Sequence, residues 1–161
     1  MKKELTREQV LLKLTSLCSS SEHCSGEMLK KMESWEVKPE IQAEVMAYLI
    51  KEKYIDDARF CRFFVNDKIK YNKWGRRKVE QALWEKCIEH NIACEVLNEV
   101  PDDLYIEILT QLIKDKRKSV KGRNDYEIRC KLVRFALGRG FTYDIINKCI
   151  DEVEEPTDDY M

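Results

Sequence analysis

Glycine and proline are scarce in this sequence, five and three among 161 residues. Scarcity of both turn-formers argues against a sheet-rich or loop-rich chain and against a disordered one. There is no run of about 18 apolar residues, so nothing reads as a membrane span. The start, "MKKELTREQV", lacks the apolar centre of a signal peptide, and the expected location is the cytoplasm. Only two histidines occur, His23 and His90. A GxSxG elbow, an HExxH pair and a phosphate-cradling glycine loop are missing, so no catalytic residue is assigned and an enzyme is the least favoured class. The seven cysteines (18, 24, 61, 87, 94, 130 and 149) are odd in number, irregular in spacing and without a CxxC. In a reducing compartment they read as thiols, several buried as small apolar residues. Cys18, His23 and Cys24 supply part of a zinc site, but the chain offers no second ligand pair; neither metal nor cofactor is expected.

What is present is charge and helical periodicity. Charged residues make up 37% and hydrophobic ones 43%, a balance that suits a helical globular protein long enough to bury a core. Thr6 with Gln9, and Asn124 with Glu127, have capping-box spacing. Asp56-Asp57 and Asp102-Asp103 each precede an apolar-rich segment, where carboxylates favour a helix start. Strand-like alternation is absent. The pattern predicts nine helices, over 6–18, 26–34, 39–52, 56–70, 76–86, 91–99, 102–118, 125–137 and 142–152.

One apolar template occurs three times. Val37, Ile88 and Phe141 are each followed four residues later by isoleucine (41, 92, 145) and nine residues later by Met46, Leu97 or Ile150. Nine residues before them stand Met28, Val79 and Leu132; five before, Met32, Leu83 and Ala136. A period near fifty built of three helices predicts an all-α protein of three tandem three-helix modules in an elongated, curved arrangement. The modules run 1–53, 54–100 and 101–152, with an acidic tail at 153–161. Apolar positions at helical spacing are core; the short helices of each unit are marginal alone and need packing against one another, with limited contact expected between units.

Charge is distributed unevenly. The chain is net −1, yet residues 59–139 hold 19 Lys and Arg against 12 Asp and Glu. "KIKYNKWGRRK" (68–78) has six cations in eleven positions and no acid. Arg59, Arg62, Asn66 and Lys70 recur at spacings of three and four, which puts them on one helix face. That stripe leads into Lys73, Arg76, Arg77 and Lys78. A second concentration, "KDKRKSVKGR", holds Lys114, Lys116, Arg117, Lys118, Lys121 and Arg123 against Asp115, and continues as Arg129, Lys131, Arg134 and Arg139. A cationic surface of this kind suits phosphates or a carboxylate-rich protein groove, although a charge run is by default a solvated face. Trp74 and Gly75 read as structural, the ring closing a helix junction and the glycine easing the turn. Asp56 and Asp57 read as structural helix starts.

The stretch "YIDDARFCRFFVNDKIKYNKWGRRKVEQALWEKCI" (54–88) resembles the central module of the RecX family of RecA regulators. The shared elements are Tyr-Ile-Asp-Asp with Arg59 and Phe60, then Lys73-Trp74-Gly75 with Arg77, then an amphipathic helix. "KLVRFALGRGFTYDII" (131–146) is similar to the family's third-module ending, and the first module matches through its apolar template. The resemblance implies a cytoplasmic, non-enzymatic modulator that binds RecA–DNA filaments and inhibits strand exchange and ATP hydrolysis in DNA repair and the SOS response. The implied partners are the RecA filament and, through it, single-stranded DNA; nothing in the sequence resembles an exposed heptad seam, so a monomer is expected. The acidic first module and tail favour docking on the filament's protein surface over free DNA. The competing readings are a helical-repeat DNA-binding protein acting without RecA, and a protein-interaction scaffold.

Overall fold

A computed structural model describes residues 4–154. Among them the chain forms nine helices and no strand: α1 (Arg7–Ser20), α2 (Ser25–Ser34), α3 (Pro39–Lys51), α4 (Asp57–Lys70), α5 (Arg76–Glu85), α6 (His90–Asn98), α7 (Asp102–Arg117), α8 (Asp125–Gly138) and α9 (Tyr143–Glu154). The all-α class is thus as the periodicity predicts, and every boundary falls within two residues of the sequence reading. Residues 155–161, most of the expected acidic tail, lie outside the described residues.

The helix starts have local causes. Thr6 Oγ1 accepts from Gln9 N at 3.1 Å while Gln9 Oε1 accepts from Thr6 N at 2.8 Å, a complete capping box. At α8 only half of the expected box forms. Asn124 Oδ1 accepts from Glu127 N at 2.9 Å, but the Glu127 carboxylate turns to Arg123 instead of Asn124 N. The paired aspartates divide their work. Asp56 Oδ1 caps α4 by accepting from Arg59 N, whereas the Asp57 carboxylate caps α2, accepting from Ser25 N at 2.7 Å and from Ser25 Oγ.

Helix ends repeat along with the apolar template. Immediately before Val37, Ile88 and Phe141 stands a left-handed residue: Glu36 (φ 58°), Cys87 (φ 61°) and Gly140 (φ 95°). Each anchor's N–H then donates five residues back, to Met32 O, Leu83 O and Ala136 O at 3.0, 3.1 and 3.2 Å. These are helix-terminating turns of the same design, and they aim each anchor inward. The anchors are 8%, 7% and 1% exposed. Met28, Val79 and Leu132, and Met32, Leu83 and Ala136, are all buried.

The chain divides into two compact units. The first holds residues up to 64 together with 83–96, and the second holds 65–82 together with 97 onward. The division passes through α4, α5 and α6. In the first unit Val10, Leu14, Met28, Met32, Val45 and Leu49 form a core flanked by Trp35 and Tyr54. In the second, α7 packs chiefly on α9 and also on α8, burying Leu109, Ile113, Leu132, Ile146 and Ile150, with the Tyr105 ring edge-on to Phe141 at 6.5 Å.

Each unit contains one close backbone crossing that requires glycine. In the first, a Cβ on Gly26 would meet Lys86 O at 2.3 Å. In the second, a Cβ on Gly75 would meet Gly140 C and Phe141 N at 2.4 Å. The turn freedom expected of Gly75 belongs instead to Lys73, whose φ is 58°. Gly75 is needed for space.

Candidate basic interface

Arg59, in the first unit, is held inward rather than presented. Its Nε donates to both carboxylate oxygens of Glu22, at 3.1 and 2.9 Å, and its Nη2 donates to the carbonyls of Lys53 and Tyr54. The expected stripe therefore loses its first member to an internal bond. Arg62, Asn66 and Lys70 are exposed, while Phe60 and Cys61 are buried. The same unit contains a cation that the charge pattern did not single out. Lys86 Nζ donates to Glu27 Oε2 at 2.8 Å and lies 5.9 and 5.8 Å from the rings of Phe60 and Phe64. Burial works to raise the Glu27 carboxyl, but the Lys86 ammonium and the Cys24 N–H outweigh it and hold it below its ordinary range. Burial pushes the Cys24 thiol up to about 11, so that this cysteine is a small apolar residue rather than a nucleophile. Cys18 lies against Met28, and His23 contacts Ser21 and Glu27.

The "KWGRR" segment belongs to the second unit. Its backbone is clamped to the α8–α9 corner by four hydrogen bonds. Gly75 N donates to Arg139 O at 2.8 Å and Arg77 N to Gly140 O at 2.9 Å; Arg139 Nη2 returns to Asn72 O at 2.7 Å and Lys73 O at 3.3 Å. The N–H groups of Gly75, just before α5, and of Arg77 in its first turn thereby pair with the carbonyls of Arg139 and Gly140, which follow α8. Trp74 is half-buried, with the ammonium groups of Lys68 and Lys78 at 5.2 and 4.9 Å from its ring. Such contacts hold cations in place at modest energy.

The cations of this segment have different surroundings. Arg76 is half-buried, 3.7 Å from Glu80. Arg77 and Lys78 are exposed. Lys70 and Lys73, also exposed, edge an open groove of about 330 Å3 with Leu104, Ile108, Leu112 and Asp115 of α7. The groove is amphipathic, offering ammonium groups beside an apolar strip.

The second basic segment is organised by Glu127. Its carboxylate accepts from Arg123 N and Arg123 Nε and lies 3.9 Å from Lys131 Nζ, which itself donates to Lys121 O. Lys116 sits 5.2 Å over the Phe135 ring, Lys118 reaches Asp115 at 4.0 Å, and Arg117 is half-buried. Lys121 and Arg134 are exposed. Cations in the last turn of α7 also meet the negative end of its dipole, a structural reason for their presence. Arg139 and Lys86 carry contacts that the sequence reading missed. Their partners lie 67 and 59 residues away.

Among the described residues the chain is all-helical, with cations gathered at helix junctions. Comparison with known proteins makes the class specific. The description "RecX, second three-helix domain" matches residues 56–97, and "RecX, third three-helix domain" matches 102–150. The chain belongs to the RecX family. The regulatory protein RecX of Bacillus cytotoxicus is 24% identical over 152 residues, which are 94% of this chain and 56% of that protein. That of Bacillus thuringiensis is 27% identical over 124 residues, 77% of this chain and 46% of the relative. The chain thus spans about half the length of the curated relatives it matches. The crystal structure of RecX from Lactobacillus salivarius superposes with a TM-score of 0.84 at 23% identity, over 92% of this chain and 96% of that one. A second crystal structure of a regulatory protein RecX also gives 0.84, at 15% identity, over 90% and 73%. Both show the same fold. No helix among the described residues is long and apolar enough to cross a membrane.

Proposed function

We propose that this chain is a cytoplasmic, non-enzymatic regulator that binds RecA–DNA filaments as a monomer and inhibits their recombinase and ATPase activity, in DNA repair and the SOS response. The observation that carries this reading is the family match over 56–97 and 102–150, which includes the "KWGRR" segment. The relatives are named regulatory proteins, and we assign RecA as the target of this chain. Lys70, Lys73, Arg77 and Lys78, exposed on a segment whose backbone is fixed at both ends, are the residues best placed for the contact. A fixed cation loses less freedom on binding than a flexible one. Arg62, Lys121 and Arg134 supply further exposed charge, and single-stranded DNA is met through the filament. The modules 1–53, 54–100 and 101–152 are part of the same proposal.

Co-sedimentation with RecA on single-stranded DNA, beside RecA alone and DNA alone, tests it. The protein should pellet with the filament, and DNA-dependent ATP hydrolysis should slow at equimolar or lower ratios. Unchanged ATPase, strand exchange and filament length at saturation overturn the reading. Pelleting with DNA alone to the same extent points to a DNA-binding repeat protein instead.

A further inference from the structure

In the second unit, three helices begin around one small cavity. It is lined by Arg76, the first residue of α5; by Val100 and Asp102 at the start of α7; by Phe141 and Thr142, which precede α9; and by Tyr105 and Ile145. Tyr105 is only 4% exposed, yet its hydroxyl finds no hydrogen-bond partner among the described residues. An unsatisfied buried hydroxyl is costly, and one that lines a cavity is a donor awaiting an acceptor. Burial pushes the Tyr105 phenol up to about 12, so it keeps its proton at neutral pH; the charges that act on it are Arg76, Glu80 and Asp102.

The other polar groups are mostly donors too. Thr142 Oγ1 accepts from Ile145 N at 3.5 Å, which leaves its own O–H to donate. The Arg76 guanidinium is half-buried and only loosely paired, 3.7 Å from Glu80. The positive ends of α5, α7 and α9 add to the same potential. Against these stand Asp102, which is exposed at the edge, and Glu80. Three donors, three helix starts and one acidic edge suit an oxygen group of single negative charge. A polyanion such as a nucleic-acid backbone would meet Asp102 and Glu80 along its length. Charge decides between oxyanions. Asp102 and Glu80, which act on the same phenol, repel a phosphate dianion more strongly than a singly charged carboxylate. The cavity itself is small, about 50 Å3.

We propose that this cavity is a receptor for one carboxylate of an acidic protein partner, held by the Tyr105 hydroxyl, the Thr142 hydroxyl and the Arg76 guanidinium. The site assigns Arg76 a task different from its neighbour Arg77, which is exposed outside the cavity. It does not depend on the filament reading, because the binding event is read on the isolated chain.

The test titrates the full chain with acetate and formate at constant ionic strength, following the Tyr105 ring and Arg76 Nε–Hε resonances by NMR. Inorganic phosphate and chloride are run in parallel. Both carboxylates should give saturable shifts at both residues, and phosphate and chloride should not. Tyr105→Phe should weaken acetate about tenfold or more, as expected for a lost bond to a charged acceptor. That variant only removes an unsatisfied hydroxyl, so it should melt at or above the parent temperature. Arg76→Gln provides a second reading should Tyr105→Phe fold poorly. The proposal is overturned by an absence of saturation, by equal shifts with chloride or phosphate, or by parental affinity in both variants.

Discussion

Gly75 lies against the peptide joining Gly140 to Phe141 so closely that a methyl group on it would come within 2.4 Å of two backbone atoms. Backbone cannot move aside as a flexible side chain does. Gly75→Ala should therefore cost about 1–3 kcal/mol or more, as overpacking does, and lower the melting temperature clearly. Gly138, at the end of α8, has open space where a methyl would stand, with nothing within 4 Å, so Gly138→Ala should leave melting unchanged or gain up to ~1 kcal/mol from helix propensity. Equal effects at both sites would show that the crossing is not tight in solution.

Trp74 and Arg77 should separate stability from binding. The indole is half-buried between two ammonium groups, so Trp74→Ala should cost about 2 kcal/mol, less than the ~3–5 kcal/mol of a fully buried ring. Arg77 contributes its backbone N–H to the clamp and its side chain to solvent, so Arg77→Ala should hardly shift melting. Filament binding should fall for Arg77→Ala, and its salt dependence should flatten. A stable Trp74→Ala protein that no longer binds would mean that the ring itself is the contact.

Arg59 should behave oppositely to Arg77. Because its guanidinium bridges Glu22 and two carbonyls, Arg59→Ala should destabilise by about 1 kcal/mol. A double-mutant cycle with Glu22→Gln should give a coupling of ~0.5–1 kcal/mol, screened by salt because both side chains are partly exposed. A coupling of zero would leave Arg59 available for the outer surface after all.

Glu27 links stability to pH. Its carboxyl titrates below the ordinary 4.5, held there against burial by Lys86 and by Cys24 N. Its contribution is fully present above that ordinary value and is lost as pH falls through the lower, folded value. Melting temperature measured from about pH 6 down to 3 should therefore fall less steeply for Glu27→Gln than for the parent. Parallel curves would remove Glu27 from the acid limb.

The division between what the sequence disclosed and what it hid follows the range of the interactions. Val37, Ile88 and Phe141 were legible because each corner is a local device whose apolar partners sit four, five and nine residues away. Helix boundaries were legible for the same reason, as at Thr6 and Gln9. The roles of Arg59, Asp57 and Arg139 were not. Arg59 meets Glu22 across 37 residues, Asp57 caps a helix 32 residues earlier, and Arg139 reaches Asn72 across 67. Nothing in local spacing distinguishes a cation committed to a distant carboxylate from one left to solvent. The glycine at 75 was recognised as structural for a reason that belongs to Lys73. Its actual requirement, room for another backbone, is a property of a neighbour that sequence order does not reveal.

The corners and the clamps should also be separable in time. The three left-handed turns close over five residues each, so they can form within the first microseconds of folding. The Gly26 and Gly75 crossings join segments some 60 residues apart and must wait for loop closure. A change that eases a corner, such as Cys87→Gly, should then speed refolding. One that strains a crossing, such as Gly75→Ala, should chiefly speed unfolding, and stopped-flow measurements on both arms would distinguish them. A chain built this way sets its bends early and locks them late. Its lifetime in the native state should therefore respond to changes of a few atoms at those glycine crossings.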